Sequence, residues 1–230
     1  MSEVDRGAGG LLVSDQPDLP SRERYIISSL MDEAIASSQL EGASTEHRAA
    51  KAMLREGRQP RDKHERMILN NWMAMQHVRE HLRDPLTPEG LCELHAILTQ
   101  GTLDRPEDSG RIRTRDDIYV EYLGEKVHEP PPASCLQERM ERLCAFFNAA
   151  EEHPWIHPLA KATLLHFWIG YDHPFVDGNG RTARALMYWY LLSRDYALFQ
   201  YLSISRHFLR SPGQYVRAYV HSETDENDLT

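Results

Sequence analysis

The sequence predicts a mainly α-helical domain interrupted by one short β-hairpin. Three observations carry this. Apolar residues recur at helical spacing along most of the 230 residues. One stretch, 101–131, breaks that spacing and holds β-prone residues around a glycine. Two helical runs, about 158–172 and 180–193, are apolar around most of their circumference, which predicts that both lie at the centre of a bundle.

The elements follow in order. Residues 1–20, rich in Gly, Pro and Asp, read as a mobile lead-in. Ser21 is suited to cap a helix whose stripe runs Ile27, Leu30, Met31, Ala34, Ser38, with Gly42 as its stop. A second helix, about 46–56, ends at Gly57, and a polar loop at 59–63 leads to a long helix over about 64–82 with Met67, Ile68, Trp72, Met75 and Val78 inward. Thr87-Pro88 starts the next helix and Gly101 closes it. Ile118-Tyr119-Val120 and Lys126-Val127-His128 then read as strands flanking a turn at Tyr122-Leu123-Gly124-Glu125. Pro130-Pro131-Pro132 ends the hairpin, and helical spacing resumes at Leu136, Met140, Leu143, Phe146 and Phe147. The acidic run 223–228 reads as a linker, which suggests a truncated chain.

Composition narrows the function. Hydrophobic residues at 41% and charged residues at 27% are ordinary for a soluble globular domain. A net charge of −9 argues against a broad grip on nucleic acid or anionic lipid, so any anion must be held by a focused local site. Cys92, Cys135 and Cys144 form no CxxC pair, which fits a reducing cytoplasm. No apolar run reaches the length of a membrane span, and the first residues lack the basic and apolar regions of a signal peptide.

The chemistry is concentrated in His173-Pro-Phe-Val-Asp-Gly-Asn-Gly-Arg-Thr-Ala-Arg184. Gly178-Asn179-Gly180 opens directly into a helix, so successive N–H groups and the positive helix end can face an anion. Arg181 and Arg184 share a face of that helix and suit phosphate oxygens. Asp177 is a hard oxygen ligand suited to Mg²⁺, and His173 can serve as a general base. Asp-Gly and Asn-Gly also mark hairpin turns, but here the flanks are long helical patterns rather than alternating strands.

These residues match the signature HxFx[D/E]GNGRxxR at every defining position, and the chain is thereby identified as resembling the Fic family. The resemblance runs from the helix at about 21 to a helix ending near 222. Gly110-Arg111-Ile112-Arg113 and the hairpin resemble the family's pre-flap segment and target-docking flap.

The resemblance implies a Fic-fold helical bundle and a protein adenylyltransferase that moves AMP from ATP to a Ser, Thr or Tyr hydroxyl. It implies His173 as base and Asp177 as ligand of Mg²⁺ or Mn²⁺. Gly178, Asn179 and Gly180 would form the anion turn, with Arg181 on the outer phosphates and Arg184 on the γ-phosphate. Phe175 would be an apolar anchor. Val127 and His128 fall where relatives dock an extended target segment, against the alternative of a hairpin that only covers the core. Tyr215 falls where relatives have an aromatic near the nucleoside, with core packing equally open. The target is expected to be a protein, self-modification included, with no nucleic-acid or membrane partner.

Glu41 has a separate argument. It falls on the face of Ile27, Leu30, Ala34 and Ser38, in the last helical turn, where both burial and the helix dipole disfavour a carboxylate. An arginine partner would resolve both conflicts; a frayed end reaching water would also resolve them. Ser37 to Gly42 matches the [S/T]xxxE[G/N] inhibitory motif of Fic proteins whose brake precedes the core, which implies that Glu41 pairs with Arg184. The implied organisation is a lead-in at 1–20, an N-terminal helical segment with the inhibitory helix at 21–57, the core at 58–222 and an acidic tail at 223–230.

Relatives with this signature also remove AMP or transfer other phosphate-containing groups, some as kinases with a different anion turn. The intact Gly178-Asn179-Gly180 favours AMP transfer over kinase chemistry and leaves transfer against removal open. A regulatory module that binds nucleotide without turnover would fit a degenerate His173 or Asp177, and neither is degenerate. A metal hydrolase is disfavoured, because His157, His166 and His173 lack HxxxH or HxxE spacing.

Overall fold

The computed structural model describes residues 19–122, 124–149 and 155–224. Its helices are α1 (Leu19–Leu40), α2 (His47–Glu56), α3 (Lys63–Glu80), α4 (Pro88–Thr99), α5 (Leu136–Asn148), α6 (Pro158–Asp172), α7 (Asn179–Ser193), α8 (Ile204–Arg210) and α9 (Pro212–Thr224). Strands β1 (Val120–Tyr122) and β2 (Glu125–His128) form one antiparallel hairpin.

Local signals account for several boundaries. The Asp62 side chain accepts from the Glu65 N–H at the start of α3, and Thr87 does the same for Gly90 ahead of Pro88 in α4. Gly57 ends α2 in the left-handed conformation at φ 63°. Ser21 does not cap α1: Leu19 and Pro20 are already helical, so its side chain lies inside the first turns. The rest of the expected lead-in, residues 1–18, lies outside the described residues. In the hairpin, Tyr122 pairs with Glu125. The strands are therefore shifted toward the tip: Ile118 and Tyr119 precede β1 rather than forming it. A bulge between Val120 and Glu121 brings Val120 opposite His128. At the other end, Glu223 and Thr224 close α9 instead of beginning a tail, and residues 225–230 lie outside the described residues. The helical run after 200 is split between α8 and α9 at Ser211, ahead of Pro212.

The bundle is organised around α7. Every residue from Arg181 to Leu192 is buried. The main core joins α7 to α4, α5 and α6 through Leu94, Leu98, Met140, Leu143, Leu165 and Ile169. Of the two helices expected at the centre, only α7 is enclosed all round; α6 leaves Ala160 and Thr163 exposed because neighbours cover one side of it.

Helix α1 lies along this bundle as a separate layer. Leu30, Met31, Ala34 and Ile35 bury its inner face, and truncating Leu30, Met31 or Ile35 to Ala would cost about 2–5 kcal/mol. Polar pins add to the apolar contact. Buried Glu33 accepts from Tyr188 Oη at 3.1 Å, Ser203 Oγ at 2.9 Å, the Ser205 N–H at 2.9 Å and Ser205 Oγ. Asn71 Nδ2 donates to Ser38 Oγ at 2.8 Å. These contacts fix where the C-terminal end of α1 arrives, beside the start of α7.

Candidate active site

Helix α6 stops at His173, whose φ of 44° is left-handed, an uncommon conformation for a residue with a Cβ. Three contacts impose it. The His173 N–H bonds the Ile169 carbonyl, its ring Nδ1 meets the Gly170 carbonyl at 3.0 Å, and Arg113 Nε donates to the His173 carbonyl at 2.8 Å. A carbonyl can only accept, so the Gly170 contact puts the ring proton on Nδ1 and leaves Nε2 with a free lone pair. Burial, the largest influence, lowers the pKa of His173 below the ordinary imidazole value; the Gly170 bond opposes it. The imidazole is a neutral base at physiological pH.

The loop that follows is tied down atom by atom. Asn179 accepts from the Phe175 N–H at 2.9 Å and donates to the Phe175 carbonyl at 2.8 Å, so its buried side chain staples the loop closed. Phe175 is fully buried and stacks on His95, ring centroids 3.7 Å apart, which makes it the apolar anchor expected of it. Asp177 has a half-exposed side chain, with Oδ1 2.5 Å from the Gly178 N–H and 3.6 Å from Arg181 Nη2. Gly178 sits at φ 85°, where a Cβ would meet Thr99 Cγ2 at 2.8 Å.

The two arginines of α7 diverge. Arg184, 2% exposed, donates from Nε to Ser37 Oγ at 2.9 Å and from Nη2 to the Ser37 carbonyl at 3.0 Å and Glu41 Oε1 at 2.7 Å. Arg181 turns the other way, giving Nη1 to the Leu98 carbonyl at 3.0 Å beneath the loop. Its buried Nε has no hydrogen-bond partner among the described residues.

Glu41 stands one residue past the last helical residue of α1, with its side chain 26% exposed. Burial works to raise its pKa, but the charge and hydrogen bond of Arg184 outweigh this and hold it below the ordinary carboxylate range. Its carboxylate lies directly over the anion turn: a Cβ on Gly180 would collide with Glu41 Oε1 and come within 3.0 Å of Arg184 Nη1. Glycine at 180 is what admits that carboxylate.

A cavity of about 350 Å³ opens in front of these groups. His173, Asp177, Gly178, Gly180, Arg184 and Glu41 line it. Val127 and His128 of β2 and Tyr215 of α9 line it as well. Arg181 does not line it, and Ser37 lies behind Arg184. His128 is gripped on both ring nitrogens, Nε2 by the Tyr171 carbonyl at 2.6 Å and Nδ1 by Glu223 at 2.9 Å, so the hairpin is tied to α6 and α9. Tyr215 gives its hydroxyl to His166 at 2.9 Å and stacks on Phe208.

Residues 85–191 match the family model described as Fic/DOC. That region carries the similarity to the Fic/DOC family. Among curated relatives, the protein adenylyltransferase Fic of Drosophila melanogaster is 34% identical over 131 residues, 56% of this chain and 25% of the relative. That of Drosophila virilis is 35% identical over the same length and shares. The chain thus spans about a quarter of the length of these relatives.

Solved structures share the Fic fold. A Fic family protein of Desulfovibrio desulfuricans aligns with a TM-score of 0.76 at 19% identity over 100% of this chain and 69% of its own. A Fic domain containing signaling protein of Bacteroides thetaiotaomicron gives 0.77 at 21% identity over 100% and 84%. Fic-1 of Caenorhabditis elegans gives 0.66 at 16% over 97% and 73%. The expected mainly helical Fic bundle with a hairpin flap is the fold of this chain.

Two residues that shape the Fic loop escaped the motif. Buried Arg113 spans the gap between segment 111–117 and the loop: its N–H bonds the Pro174 carbonyl at 2.8 Å, and its guanidinium reaches the carbonyls of His173 and Pro131. Gly170, one turn before His173, lets Tyr219 pack against α6; a Cβ there would stand 2.5 Å from the Tyr219 ring. Both are long-range pairings, which sequence spacing does not encode.

Proposed function

We propose that this chain is a protein adenylyltransferase that moves AMP from ATP to a hydroxyl of a protein target and that Glu41 restrains it. One observation carries the reading. A carboxylate already lies against the glycine turn at the start of α7 and bonds Arg184 at 2.7 Å, which supports reading this place as an anion site with Glu41 standing where a phosphate would bind. The family match and the relatives named protein adenylyltransferase support the same reaction class.

In this reading the target hydroxyl oxygen attacks the α-phosphorus of ATP. The bond from that phosphorus to the bridging oxygen of the β-phosphate breaks, pyrophosphate leaves with that electron pair, and the hydroxyl proton moves to Nε2 of His173. The Gly178–Gly180 amides and Arg184 hold phosphate oxygens, with the γ-phosphate assigned to Arg184. Arg181, assigned to the outer phosphates by resemblance, would have to turn from the Leu98 carbonyl to reach them. Asp177 fits Mg²⁺ or Mn²⁺: its carboxylate is half exposed at the cavity rim, and such ions take one or two carboxylates plus phosphate oxygens. The ion would supply charge neutralisation on the polyphosphate. The nucleoside would lie toward Tyr215, and the target segment along the hairpin at Val127 and His128. No described helix is long and apolar enough to cross a membrane.

Labelled ATP tests the reaction. With Glu41→Gly protein and a target lysate, label on the α-phosphate should become protein-bound, while γ-label should leave with pyrophosphate. Protein-bound γ-label, or release of AMP from pre-modified protein without its transfer, would replace this reading with phosphoryl transfer or AMP removal.

A further inference from the structure

One imidazole touches both segments that meet at Asp177. His95 projects from α4 and is fully buried. Its Nε2 stands 2.8 Å from the Asp177 carbonyl oxygen and its Nδ1 2.9 Å from the Gly110 nitrogen. A carbonyl only accepts and an amide N–H only donates, so one tautomer satisfies both contacts, with the proton on Nε2. The ring is held flat against Phe175, with 3° between the two planes.

The surroundings are built onto that ring. Beyond its clash with Thr99, a Cβ on Gly178 would also approach His95 Nε2 to 3.2 Å, so the anion turn descends onto the imidazole. Gly110, at φ 71°, presses the preceding segment against α4, where a Cβ would meet Ala96 Cβ at 2.9 Å. Thr99 Oγ1 donates to the His95 carbonyl at 2.7 Å and contacts Ser109 Oγ at 2.8 Å. Segment 109–113 therefore grips the loop at both ends, through Arg113 at His173 and Pro174 and through His95 at Asp177.

We propose that His95 is a positioning residue that fixes the backbone at Asp177 and so sets the metal-binding carboxylate relative to the anion turn. This rests on the reading of Asp177 as the metal ligand.

The two ring nitrogens can be separated by substitution. In His95→Gln the side-chain amide reaches the place of Nε2 and keeps a donor for the Asp177 carbonyl. In His95→Asn the side-chain oxygen reaches the place of Nδ1 and keeps an acceptor for Gly110. Both lose the ring, so both lose the Phe175 stacking equally. In a Glu41→Gly background, the Mg²⁺ concentration for half-maximal labelling should rise about tenfold in His95→Asn and His95→Ala, the cost of one lost hydrogen bond, and stay within about threefold in His95→Gln. Metal-free ATP affinity should change less than about twofold in all three folded variants.

Amide exchange by NMR gives a readout independent of activity. Gly110 protection should survive only in His95→Asn, and protection at 178–180 only in His95→Gln. Equal magnesium shifts in Gln and Asn, or no shift in Ala, would overturn the proposal. Should Glu41→Gly itself prove indifferent to metal, it is the Asp177 reading that fails. Faster exchange at 178–180 in Asn than in Gln would then still uphold His95 as the residue that positions the loop, and equal exchange would end that role too. If Ala unfolds, the Gln and Asn pair decides alone.

Discussion

Replacing Glu41 by glycine should release the site, and the structure sets the size of the effect. The contact removed is a charge-assisted bond of 2.7 Å between a side chain 26% exposed and an arginine 2% exposed. Such bonds contribute about 1.5–3 kcal/mol, and a quarter-exposed carboxylate falls in the lower part of that range. About 1.5–2 kcal/mol corresponds to a gain of about 10- to 30-fold in ATP affinity or labelling. Arg184 does not fall away with its partner, because Ser37 still accepts from its Nε and Nη2. The freed guanidinium therefore stays in place. Glu41→Gln tests the charge without adding a flexible glycine and should give part of the gain. The assay is calorimetric ATP binding beside labelling of a lysate and of the protein itself. If folded Glu41→Gly and Glu41→Gln both remain within twofold of wild type in every arm, restraint by this carboxylate is wrong.

Four further expectations concern the site and the helices around it. His173→Ala in the released background should abolish labelling and leave ATP affinity within about threefold, since the phosphate contacts come from other groups; equal labelling would remove His173 from the chemistry. Because the base must be neutral and burial depresses its pKa, the rate should fall only as pH drops below the ordinary imidazole range. The Glu41 charge raises that pKa, so Glu41→Gly should move the acid limb lower still, as a pH–rate profile would report. Asp177→Ala should lose both activity and the response to Mg²⁺, and full activity in chelator would contradict its assignment. For stability, His166 is lowered to about 3, mainly by burial and then by the charge of Arg184. A base whose folded pKa is depressed is fully stabilising above its unfolded value of about 6.5 and loses about 1.4 kcal/mol per pH unit below it. The loss of stability between pH 7 and pH 5 in urea unfolding should therefore be about 2 kcal/mol smaller in His166→Gln than in wild type.

Much of the site was legible because its chemistry is contiguous. His173 to Arg184 carries base, carboxylate, glycine turn and arginine within one stretch between two helical patterns. The helices were legible from apolar spacing and from start signals such as Thr87-Pro88, whereas the cap at Asp62 emerged with the structure. What escaped is what the fold brings together from a distance. His95 reads in sequence as one polar residue on the apolar face of Leu91, Leu94 and Leu98, and its partners lie 15 and 82 residues away. The divergence of Arg181 from Arg184 was equally hidden, since helical spacing fixes where the Cβ atoms point and not which carbonyl each guanidinium finds. The shifted strands and the two helical residues before Ser21 are boundary errors, because alternation and capping residues fix an element's existence better than its ends.

Helix α1 makes Glu41 a tethered ligand. A carboxylate carried by the chain faces Arg184 at an effective concentration that dilution does not change, of millimolar order or higher for a short tether. A free carboxylate such as acetate would need to reach that concentration to quiet a Glu41→Gly protein. The tether also has its own adjustment point. Glu33 holds α1 by four donors, two turns before Glu41, and acts on Arg184 through its charge rather than by a hydrogen bond. Under the restraint proposed for Glu41, loosening that grip would lower the local concentration of the carboxylate at Arg184 with no substitution in the site itself.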